Sequence, residues 1–299
     1  MKTVIIGAGA FGLALAQNLS QTNQITVWSA LKEEITNLKN NGISEKLPNI
    51  ILNNEINYEE NLEIAIKNKD LIIIAVPFNF IRNTVNKIKP YYQNTPICVA
   101  SKGIENETGL FAHEIIKEIL NTKISVISGP SFAKDLAKEN TALTIANSNE
   151  TVLKVFQSLK IEKTNDIIGV EICGAFKNII AISAGILNGL NKNESIIASY
   201  MTDWINQTKN LIKNLNGNEN TIFTYAGIGD ILLTANSKSS RNFTFGEILS
   251  TKDSQKINNY IKNNTIEGLY ALKSFTKLLE KKDIKVPLIN KINPYINAI

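Results

Sequence analysis

The sequence predicts an α/β N-terminal domain, in which helices flank a parallel sheet, followed by an all-helical C-terminal domain. Short β-rich apolar runs alternate with helical stretches as far as Ile168, and beyond it the chain is helical almost to its end. Alternating strands and helices are typical of a doubly wound parallel sheet. A length of 299 residues allows two domains, and we expect them at residues 1–168 and 169–299.

The first strand leads directly into a glycine motif. Met1–Ile6 is β-rich, Gly7-Ala8-Gly9-Ala10-Phe11-Gly12 follows it, and Leu13–Leu19 is apolar and Ala-rich like a helix. A strand, G-x-G-x-x-G and a helix in this order form a dinucleotide-binding fingerprint. Gly7 permits the tight turn, Gly9 lets the backbone approach the pyrophosphate, and Gly12 allows close helix–strand packing. The N–H groups that begin the helix then face the phosphate charge. The N-terminal domain is therefore expected to be Rossmann-like.

The second strand, Gln24–Trp28, ends where an NAD site often carries an Asp or Glu for the ribose 2′-hydroxyl. This chain has Ser29-Ala30-Leu31 and then Lys32 instead. Without a carboxylate to repel it, a 2′-phosphate is compatible with this position. Lys32 is either a ligand for that phosphate or an ordinary surface lysine. The sequence therefore leaves NADH and NADPH open.

Three further apolar runs are expected to be buried parallel strands: Asp70–Pro77, Pro96–Ser101 and Lys123–Ser128. Phe80–Ile88 and Leu110–Leu120 are predicted helices between them. Ligands in such sheets bind beyond the carboxyl ends of the strands. Three motifs lie at those ends: Val76-Pro77-Phe78, Ser101-Lys102-Gly103 and Ser128-Gly129-Pro130-Ser131-Phe132-Ala133. Lys102 is a candidate anion ligand there, and a surface lysine is the alternative.

The first helical stretch of the C-terminal half, Gly169–Gly185, is apolar and carries small residues every three or four positions. These positions allow a neighbouring backbone to approach closely. Lys177 and Asn178 interrupt the apolar pattern. Because an ammonium is costly to bury, Lys177 is expected either to extend to water or to line a polar cavity.

Two later motifs are also candidates for chemistry. Asp230 follows Gly227-Ile228-Gly229 and precedes an apolar helix, so helix N-capping is its alternative role. Ser240-Arg241-Asn242 places two neutral donors beside a guanidinium, which suits bidentate phosphate recognition. A helix start with a surface arginine is the alternative for that triplet.

In combination these motifs closely resemble the bacterial-type NAD(P)-dependent glycerol-3-phosphate dehydrogenase family. The resemblance runs from Val4 to about Pro287, nearly the whole chain. It rests on motifs in the family's order: Gly7–Gly12, Ser101-Lys102-Gly103, Ser128–Leu136, Gly174-Ala175-Phe176-Lys177-Asn178, Gly227-Ile228-Gly229-Asp230, Ser240-Arg241-Asn242 and Ile266-Glu267-Gly268. The family's fold agrees with the one expected above.

The resemblance implies roles for individual residues. Lys177 matches the catalytic lysine that exchanges a proton at the substrate C2 oxygen, and Asp230 matches the substrate-site aspartate. The implied substrate ligands are Lys102, Gly129, Ser131, Lys177, Asp230, Ser240, Arg241 and Asn242. The expected cofactor contacts are Gly7, Gly9, Ala10, Phe11, Gly12, Lys102, Ala133, Arg241 and Glu267.

The implied reaction is reversible hydride transfer between NAD(P)H and C2 of dihydroxyacetone phosphate. It supplies sn-glycerol 3-phosphate for phospholipid synthesis. Negative charge grows on the C2 oxygen, and an ammonium at Lys177 stabilises it and donates the proton. Such acid–base help is worth about 10²- to 10⁴-fold. Lys102 would lower the pKa of Lys177 and Asp230 would raise it, with the balance left open. The expected assembly is a homodimer.

The chain departs from the family pattern at several places. Tyr200-Met201-Thr202 stands where Thr-Arg-Gly is frequent, and Ala235 replaces a frequent Cys. Phe78 stands where Ser is common and is expected to crowd the cofactor cleft. The sequence ends at Ile299, where many relatives continue into further helix, and either weaker subunit contacts or an exposed apolar face is the expected consequence. None of these positions has a chemical role.

Two alternative functions are compatible with part of the sequence. A related β-hydroxyacid-type dehydrogenase shares the glycine fingerprint and a catalytic Lys-Asn, but Ser240-Arg241-Asn242 and Gly227-Ile228-Gly229-Asp230 argue against it. A non-catalytic dinucleotide-binding homologue is suggested by the departures. Every residue assigned to chemistry is nevertheless present, and a turnover assay separates this alternative from the enzyme.

Composition excludes several classes of function. Hydrophobic residues make up 43% and charged residues 20%, which is globular composition. The formal charge is +5, but the lysines are scattered and Arg82 and Arg241 are the only arginines, so nucleic-acid binding is not expected. His113 is the only histidine and no Cys/His spacing suits zinc, so no metal is expected. His113 lies in a predicted helix and is expected to be structural. Cys98 and Cys173 are expected to be buried free thiols, with a disulfide left open.

The N-terminus imitates a signal peptide. Lys2 precedes the apolar run Val4–Ala16, which ends in Ala14-Leu15-Ala16. Its three glycines fit the dinucleotide fingerprint better, so a cytoplasmic protein is expected. No apolar run approaches the roughly 20 residues of a spanning helix. The chain also lacks a basic amphipathic stretch, so stable membrane insertion is not expected.

Overall fold

The computed structural model describes residues 1–296, in which eight strands form one sheet. The strands are β1 Lys2–Ile6, β2 Gln24–Trp28, β3 Asn57–Glu59, β4 Leu71–Ile74, β5 Ile97–Val99, β6 Ile124–Ser128, β7 Ala142–Ala146 and β8 Lys160–Thr164. Their spatial order is β3-β2-β1-β4-β5-β6-β7-β8. Every strand takes part in at least one parallel pair, from β1–β2 at one end to β7–β8 at the other. The predicted parallel-type sheet is confirmed.

Seven helices connect or follow these strands. They are α1 Ala10–Leu19, α2 Lys32–Asn41, α3 Leu62–Ile66, α4 Ile81–Ile88, α5 Ala112–Ile119, α6 Ala133–Leu136 and α7 Glu150–Val155. Short 3-10 turns at Phe78–Phe80 and Lys89–Tyr91 flank α4. β2 and β3 are added on one side of β1, and β4 to β8 are added on its other side, so the topological switch point lies between β1 and β4. A doubly wound fold binds ligands at the carboxyl ends of the strands that flank such a switch point.

The remaining helices make up the C-terminal part of the chain. They are α8 Ile167–Gly189, α9 Glu194–Asn214, α10 Asp230–Ala235, α11 Arg241–Ser250, α12 Ser254–Asn263, α13 Glu267–Lys282 and α14 Pro287–Ile296. A 3-10 turn at Glu219–Phe223 and a π-type turn at Tyr225–Gly229 lie between α9 and α10. The predicted change from β-containing to helical structure after Ile168 is confirmed.

The chain forms two compact units. Unit 1 consists of Met1–Lys102, Ala112–Ile127 and Ser131–Ile167, and unit 2 consists of Gly103–Phe111, Ser128–Pro130 and Ile168 onward. Two short loop segments therefore belong with the helical unit. The division of the chain into domains 1–168 and 169–299 stays a prediction, and its last three residues, 297–299, lie outside the described part of the chain.

The sequence analysis did not predict three of the strands, namely β3, β7 and β8. β3 is three residues long and β8 is Lys-Ile-Glu-Lys-Thr, with no fully buried residue. Both are edge strands, which expose their backbone and one face, so they lack the continuous apolar run by which β4 and β6 were recognised. β7 is an interior strand with four of its five residues buried, and its run Ala-Leu-Thr-Ile-Ala was missed.

The core of unit 2 is built around α8. Phe176 packs edge-on against Trp204 and Phe275, with ring centroids 5.6 and 5.0 Å apart. The Trp204 indole donates to the Ser183 hydroxyl at 2.9 Å. A Cβ added at Gly185 would overlap the Phe243 carbonyl oxygen, so the small residues predicted on α8 do let the α11 backbone approach closely.

The expectation that no apolar segment approaches the length of a membrane span was wrong for α8. This helix has 23 residues, and its most apolar 18-residue window has a mean hydropathy of 1.6. Lys177 and Asn178 interrupt the apolar residues of this helix, so the sequence shows no uninterrupted apolar run of that length. Within the protein 83% of that window is buried, which is the environment of a core helix.

Both cysteines are free and buried, so the predicted thiols are confirmed and the open disulfide alternative is excluded. Burial raises the pKa of the Cys98 thiol well above its ordinary value. His113 is 8% exposed within α5. None of these three residues occupies a candidate site.

Candidate active site

The glycine motif of unit 1 has the geometry that a dinucleotide requires. Gly7 has φ +119°, and a Cβ there would lie 2.7 Å from the Ala75 carbonyl oxygen just beyond β4. A Cβ at Gly12 would overlap the Gly7 carbonyl. At Gly9, by contrast, an added Cβ would meet no atom within 4 Å. The first and third glycines therefore allow the turn and the helix packing, and the second leaves an open approach to the backbone.

The start of α1 is suited to an anion. Gly9 is the N-cap residue and has no side chain to cap the helix, and the first turn carries no acidic residue. The N–H groups and the positive end of the helix dipole are thus available to phosphate oxygens. Ala10 and Phe11 stand in that first turn and are half-buried. These residues fit the dinucleotide that the fingerprint predicts.

Unit 1 contains further residues that are predicted to bind the cofactor or the substrate. Phe11 and Ala133 both pack against the apolar cluster that fills the sheet face. The Lys102 ammonium lies 6.0 Å from the centroid of the Phe11 ring, within the range of a cation–π contact. Ser131 precedes α6 and is half-buried. Phe78 is half-buried in the turn after β4, and its expected crowding of the cofactor cleft stays a prediction.

A buried ion pair lies at the centre of the polar cluster in unit 2. Lys177 Nζ lies 2.5 Å from Asp230 Oδ1, although 53 residues separate them. Lys177 also donates to Thr234 Oγ1 at 3.0 Å. The side chains of Lys177 and Asp230 are only 11% and 1% exposed. The carboxylate therefore favours the ammonium form of Lys177 in surroundings that would otherwise penalise the charge.

Local structure explains how Asp230 reaches Lys177. Gly227 has non-helical dihedral angles inside the π-type turn, and a Cβ there would overlap the Ile222 backbone. α10 then begins at Asp230, with Gly229 as its N-cap residue. The alternative that Asp230 is an N-cap is wrong, since its carboxylate is turned to Lys177. Thr234 lies one turn further on the same face and reaches Asp230 Oδ1 at 3.3 Å.

Ser128, the last residue of β6, and the loop that follows it lie close to the same aspartate. The Ser128 hydroxyl lies 3.5 Å from Asp230 Oδ2, and a Cβ at Gly229 would touch the Pro130 ring at 3.5 Å. Gly129 stands between these two contacts. Sequence reasoning did not select Ser128 or Thr234 as site residues. The four-residue spacing of Asp230 and Thr234 on one helix was the available signal for Thr234.

A second polar chain links α8, α11 and α13. Asn178 Nδ2 donates to Glu267 Oε2 at 3.1 Å, and its Oδ1 accepts from Asn242 Nδ2 at 3.0 Å. Asn242 Oδ1 in turn accepts from the Gly268 N–H at 2.9 Å. Asn242 is 7% exposed, so these bonds also satisfy a buried amide. Its nitrogen carries a second N–H beyond the one given to Asn178.

The Ser240-Arg241-Asn242 triplet forms the start of α11, which is the structural alternative that the sequence analysis gave for it. The Ser240 hydroxyl accepts from the Phe243 N–H at 3.3 Å and caps α11. Arg241 is exposed in the first turn, and its carbonyl accepts from the Tyr260 hydroxyl at 3.2 Å. The helix start does not conflict with anion binding, because it places the guanidinium beside the positive end of the helix. Glu267, the first residue of α13, is also exposed.

Two further departures from the family pattern, Met201 and Ala235, are packing positions. Met201 in α9 is 8% exposed and Ala235 at the end of α10 is 1% exposed.

Within residues 1–296, no group of three or more His, Cys, Asp and Glu side chains is arranged to hold a metal ion. The chemical groups around Lys177 are therefore its own ammonium, the Asp230 carboxylate, the hydroxyls of Thr234 and Ser128, and the amides of the neighbouring polar chain.

Comparison with known proteins gives one consistent result. Residues 2–153 match the family described as NAD-dependent glycerol-3-phosphate dehydrogenase N-terminus, and residues 166–297 match the corresponding C-terminus. The chain is 34% identical to glycerol-3-phosphate dehydrogenase [NAD(P)+] of Fusobacterium nucleatum, covering 98% of this chain and 91% of that protein. It is also 34% identical to the protein of that name from Ehrlichia chaffeensis, covering 98% and 94%.

Solved structures agree with these relatives. The crystal structure of glycerol-3-phosphate dehydrogenase from Coxiella burnetii superposes with a TM-score of 0.91 at 29% identity, covering 97% of this chain and 93% of that one. A ketopantoate reductase of Ralstonia eutropha reaches a TM-score of 0.68 at 13% identity, covering 100% and 97%. That second likeness is one of fold alone.

Proposed function

Since the chain belongs to the NAD-dependent glycerol-3-phosphate dehydrogenase family, we propose that it interconverts dihydroxyacetone phosphate and sn-glycerol 3-phosphate with NAD(P)H. It is an NAD(P)-dependent oxidoreductase of that family. The observation that carries the catalytic assignment is the buried Lys177–Asp230 pair, at 2.5 Å, on the Gly-Ala-x-Lys-Asn helix. The β-hydroxyacid-type and non-catalytic alternatives are less well supported, because the named relatives match along 98% of the chain.

Bound NAD(P)H supplies the hydride that C2 of the substrate receives. The role of Lys177 is to stabilise the negative charge that grows on the C2 oxygen and to donate the proton that completes the alcohol. Asp230 keeps that lysine in its ammonium form, and Thr234 fixes the direction of Nζ through its hydroxyl. In the oxidising direction the same amine accepts the proton.

The other residues of the proposal bind and orient. Arg241, with Ser240 and the second N–H of Asn242, holds the substrate phosphate, while Lys102, Gly129 and Ser131 complete the substrate ligands. Gly7, Gly9, Gly12, Ala10, Phe11, Lys102, Ala133, Arg241 and Glu267 hold the cofactor. Holding the carbonyl face toward the hydride donor is an orientation effect rather than a chemical one.

Residues 1–168 act in this proposal as the dinucleotide-binding domain and residues 169–299 as the substrate-binding and catalytic domain. The glycine fingerprint at the sheet switch point supports the first assignment, and the Lys177 cluster among helices supports the second. We also propose a cytoplasmic homodimer that supplies glycerol 3-phosphate to phospholipid synthesis. Light scattering coupled to size-exclusion chromatography measures the mass of the assembly, and a monomer would contradict the dimer.

The proposed reaction is tested by following NADH and NADPH absorbance at 340 nm with purified protein. Addition of dihydroxyacetone phosphate is expected to oxidise at least one of the two nucleotides. Dihydroxyacetone without its phosphate serves as the control and is expected to react far more slowly. Nucleotide binding without substrate-dependent turnover would favour the non-catalytic alternative.

Replacement of Gly9 with valine is expected to block dinucleotide binding without unfolding the protein. The added side chain enters the open space in front of the helix start, where an added Cβ meets no atom within 4 Å. We expect the Kd for NADH to rise at least about tenfold, the equivalent of about 1.4 kcal/mol, with the melting temperature nearly unchanged. Gly12→Val is the contrasting variant, because its Cβ overlaps the Gly7 carbonyl and should destabilise the fold. Unchanged nucleotide affinity in Gly9→Val would contradict the cofactor assignment.

Replacement of Arg241 with glutamine is expected to weaken substrate binding. Hydrogen bonds to charged groups contribute about 1.5–3 kcal/mol, so the KM for dihydroxyacetone phosphate should rise by about 10- to 100-fold. Arg241 is exposed, so the melting temperature should not change. Lys238→Gln, an exposed cation three residues earlier, is the matched control and should leave KM unaltered. Equal KM changes in both variants would indicate a general electrostatic effect instead of phosphate binding by Arg241.

A further inference from the structure

The first turn of α2 brings a carboxylate to the end of β2, where the sequence itself has none. Ser29 directly follows β2 and is 7% exposed. Its hydroxyl donates to Glu34 Oε2 at 2.6 Å and accepts from the Leu31 N–H at 3.2 Å. A hydroxyl has one O–H donor. The Ser29 donor is therefore engaged with Glu34 and is not offered to a ligand.

Glu34 is held at both of its oxygens. Oε2 accepts from Ser29, and Oε1 pairs with the Lys46 ammonium. The side chain is 18% exposed, so the carboxylate is fixed but still reached by solvent. An ionised carboxylate offers about four lone-pair sites, so its two oxygens retain the capacity to accept from a further hydroxyl.

The surrounding charges are predominantly negative. A cavity of about 500 Å³ opens beside the start of α2, and its charged lining residues are Lys32, Lys39, Glu59, Glu60 and Glu63. Lys39 lies 3.6 Å from Glu60. Together with Glu33, Glu34 and Lys46, the region contains five carboxylates and three ammonium groups. Arg82, the arginine of unit 1, donates to Glu118 on α5 at 2.8 Å.

We propose that Glu34 makes the enzyme select NADH over NADPH, an inference that rests on the proposed function. In dinucleotide folds a carboxylate about 20 residues beyond the fingerprint accepts from the ribose 2′-hydroxyl, whereas an arginine accommodates a 2′-phosphate. Here α2 supplies the carboxylate in place of the strand end. A 2′-phosphate brings only acceptors and negative charge to this region, and like charges placed together are strongly unfavourable.

The Lys46 partner makes the inference testable in both directions. Removing the charge of Glu34 should relieve the repulsion of a 2′-phosphate, whereas removing the charge of Lys46 should leave Glu34 unneutralised and increase it. If the pair had only a structural role, both variants would bind NADH and NADPH more weakly and by the same factor. The ratio of the two Kd values therefore separates selection from structure.

Isothermal titration calorimetry with NADH and with NADPH measures that ratio without any need for turnover. In the wild-type protein we expect NADH to bind at least about tenfold more tightly, the equivalent of about 1.4 kcal/mol. Glu34→Gln should reduce the preference to about threefold or less, mainly by tighter NADPH binding, and Lys46→Gln should increase it. Glu33→Gln, the exposed neighbour, is the matched control and should leave the ratio within about twofold. Melting temperatures verify that each variant is folded.

Equal affinities, or tighter NADPH binding, in the wild-type protein would overturn the inference while leaving the proposed function intact. An equal change for both nucleotides in Glu34→Gln would also overturn it, since the role of Glu34 would then be structural. Failure of the wild-type protein to bind either nucleotide would contradict the proposed function itself, and the inference with it.

Discussion

Replacing Lys177 with methionine is expected to reduce kcat by about 10²- to 10⁴-fold, the range of a general acid–base contribution. Methionine has a similar length but no donor for the C2 oxygen. The Kd for NADH should stay nearly unchanged, because the fingerprint of unit 1 is untouched. Stopped-flow measurement of NADH oxidation gives the rate, and titration calorimetry gives the affinity. Lys192→Met, an exposed lysine in the turn after α8, is the matched control and should retain wild-type kcat.

The stability of this variant needs its own control. Without Lys177 the Asp230 carboxylate, at 1% exposure, loses its cationic partner, and breaking a buried ion pair costs about 3–5 kcal/mol. The double variant Lys177→Met with Asp230→Asn removes both charges, and we expect it to regain much of the lost stability but none of the turnover. Wild-type turnover in either variant would contradict the catalytic assignment of Lys177.

Replacing Asp230 with asparagine is expected to lower both stability and activity. The Lys177 ammonium would lose its counter-ion at 2.5 Å while remaining in its buried position, so the free energy of unfolding should fall by about 3–5 kcal/mol. Without the carboxylate the neutral amine is favoured. The alkaline limb of the pH profile for dihydroxyacetone phosphate reduction should therefore move to lower pH, and kcat at neutral pH should fall by about 10²-fold.

A pH–rate profile and a chemical unfolding curve measure these two effects separately. Asp203→Asn, an exposed aspartate on α9, is the matched control and should alter neither. If the alkaline limb of Asp230→Asn stayed at the wild-type pH while kcat fell, Asp230 would act by another route than stabilising the ammonium of Lys177.

Much of the fold could be predicted because its signals are local. The G-x-G-x-x-G motif between a strand and a helix identified the switch-point region. The strands β1, β2, β4, β5 and β6, but not the buried strand β7, showed apolar runs that predicted them. The edge strands β3 and β8 did not, since half-exposed polar strands carry no such signal. The apolar helix α8 was also underestimated, because two polar residues interrupt a segment that the tertiary structure buries on nearly every side.

The candidate residues followed from their chemical types, but their grouping did not. Sequence motifs selected Lys177, Asp230 and Asn242, each with a structural alternative of comparable standing. The structure rejects the N-cap role for Asp230 and confirms Ser240 as the cap of α11. It also adds Thr234 and Ser128, neither of which was selected as a site residue, although Ser128 begins the Ser128–Leu136 motif.

By itself the sequence determined the alternation of strands and helices before Ile168, the dinucleotide fingerprint and the family, since each depends on residues that are neighbours in the chain. Only the tertiary structure decided that Lys177 pairs with an aspartate 53 residues away, and that Glu34 is tied by Ser29 to the end of β2. Both contacts hold a charged side chain in largely buried surroundings. Such charges persist only where folding supplies a partner, so packing rather than spacing selects which carboxylate meets which donor.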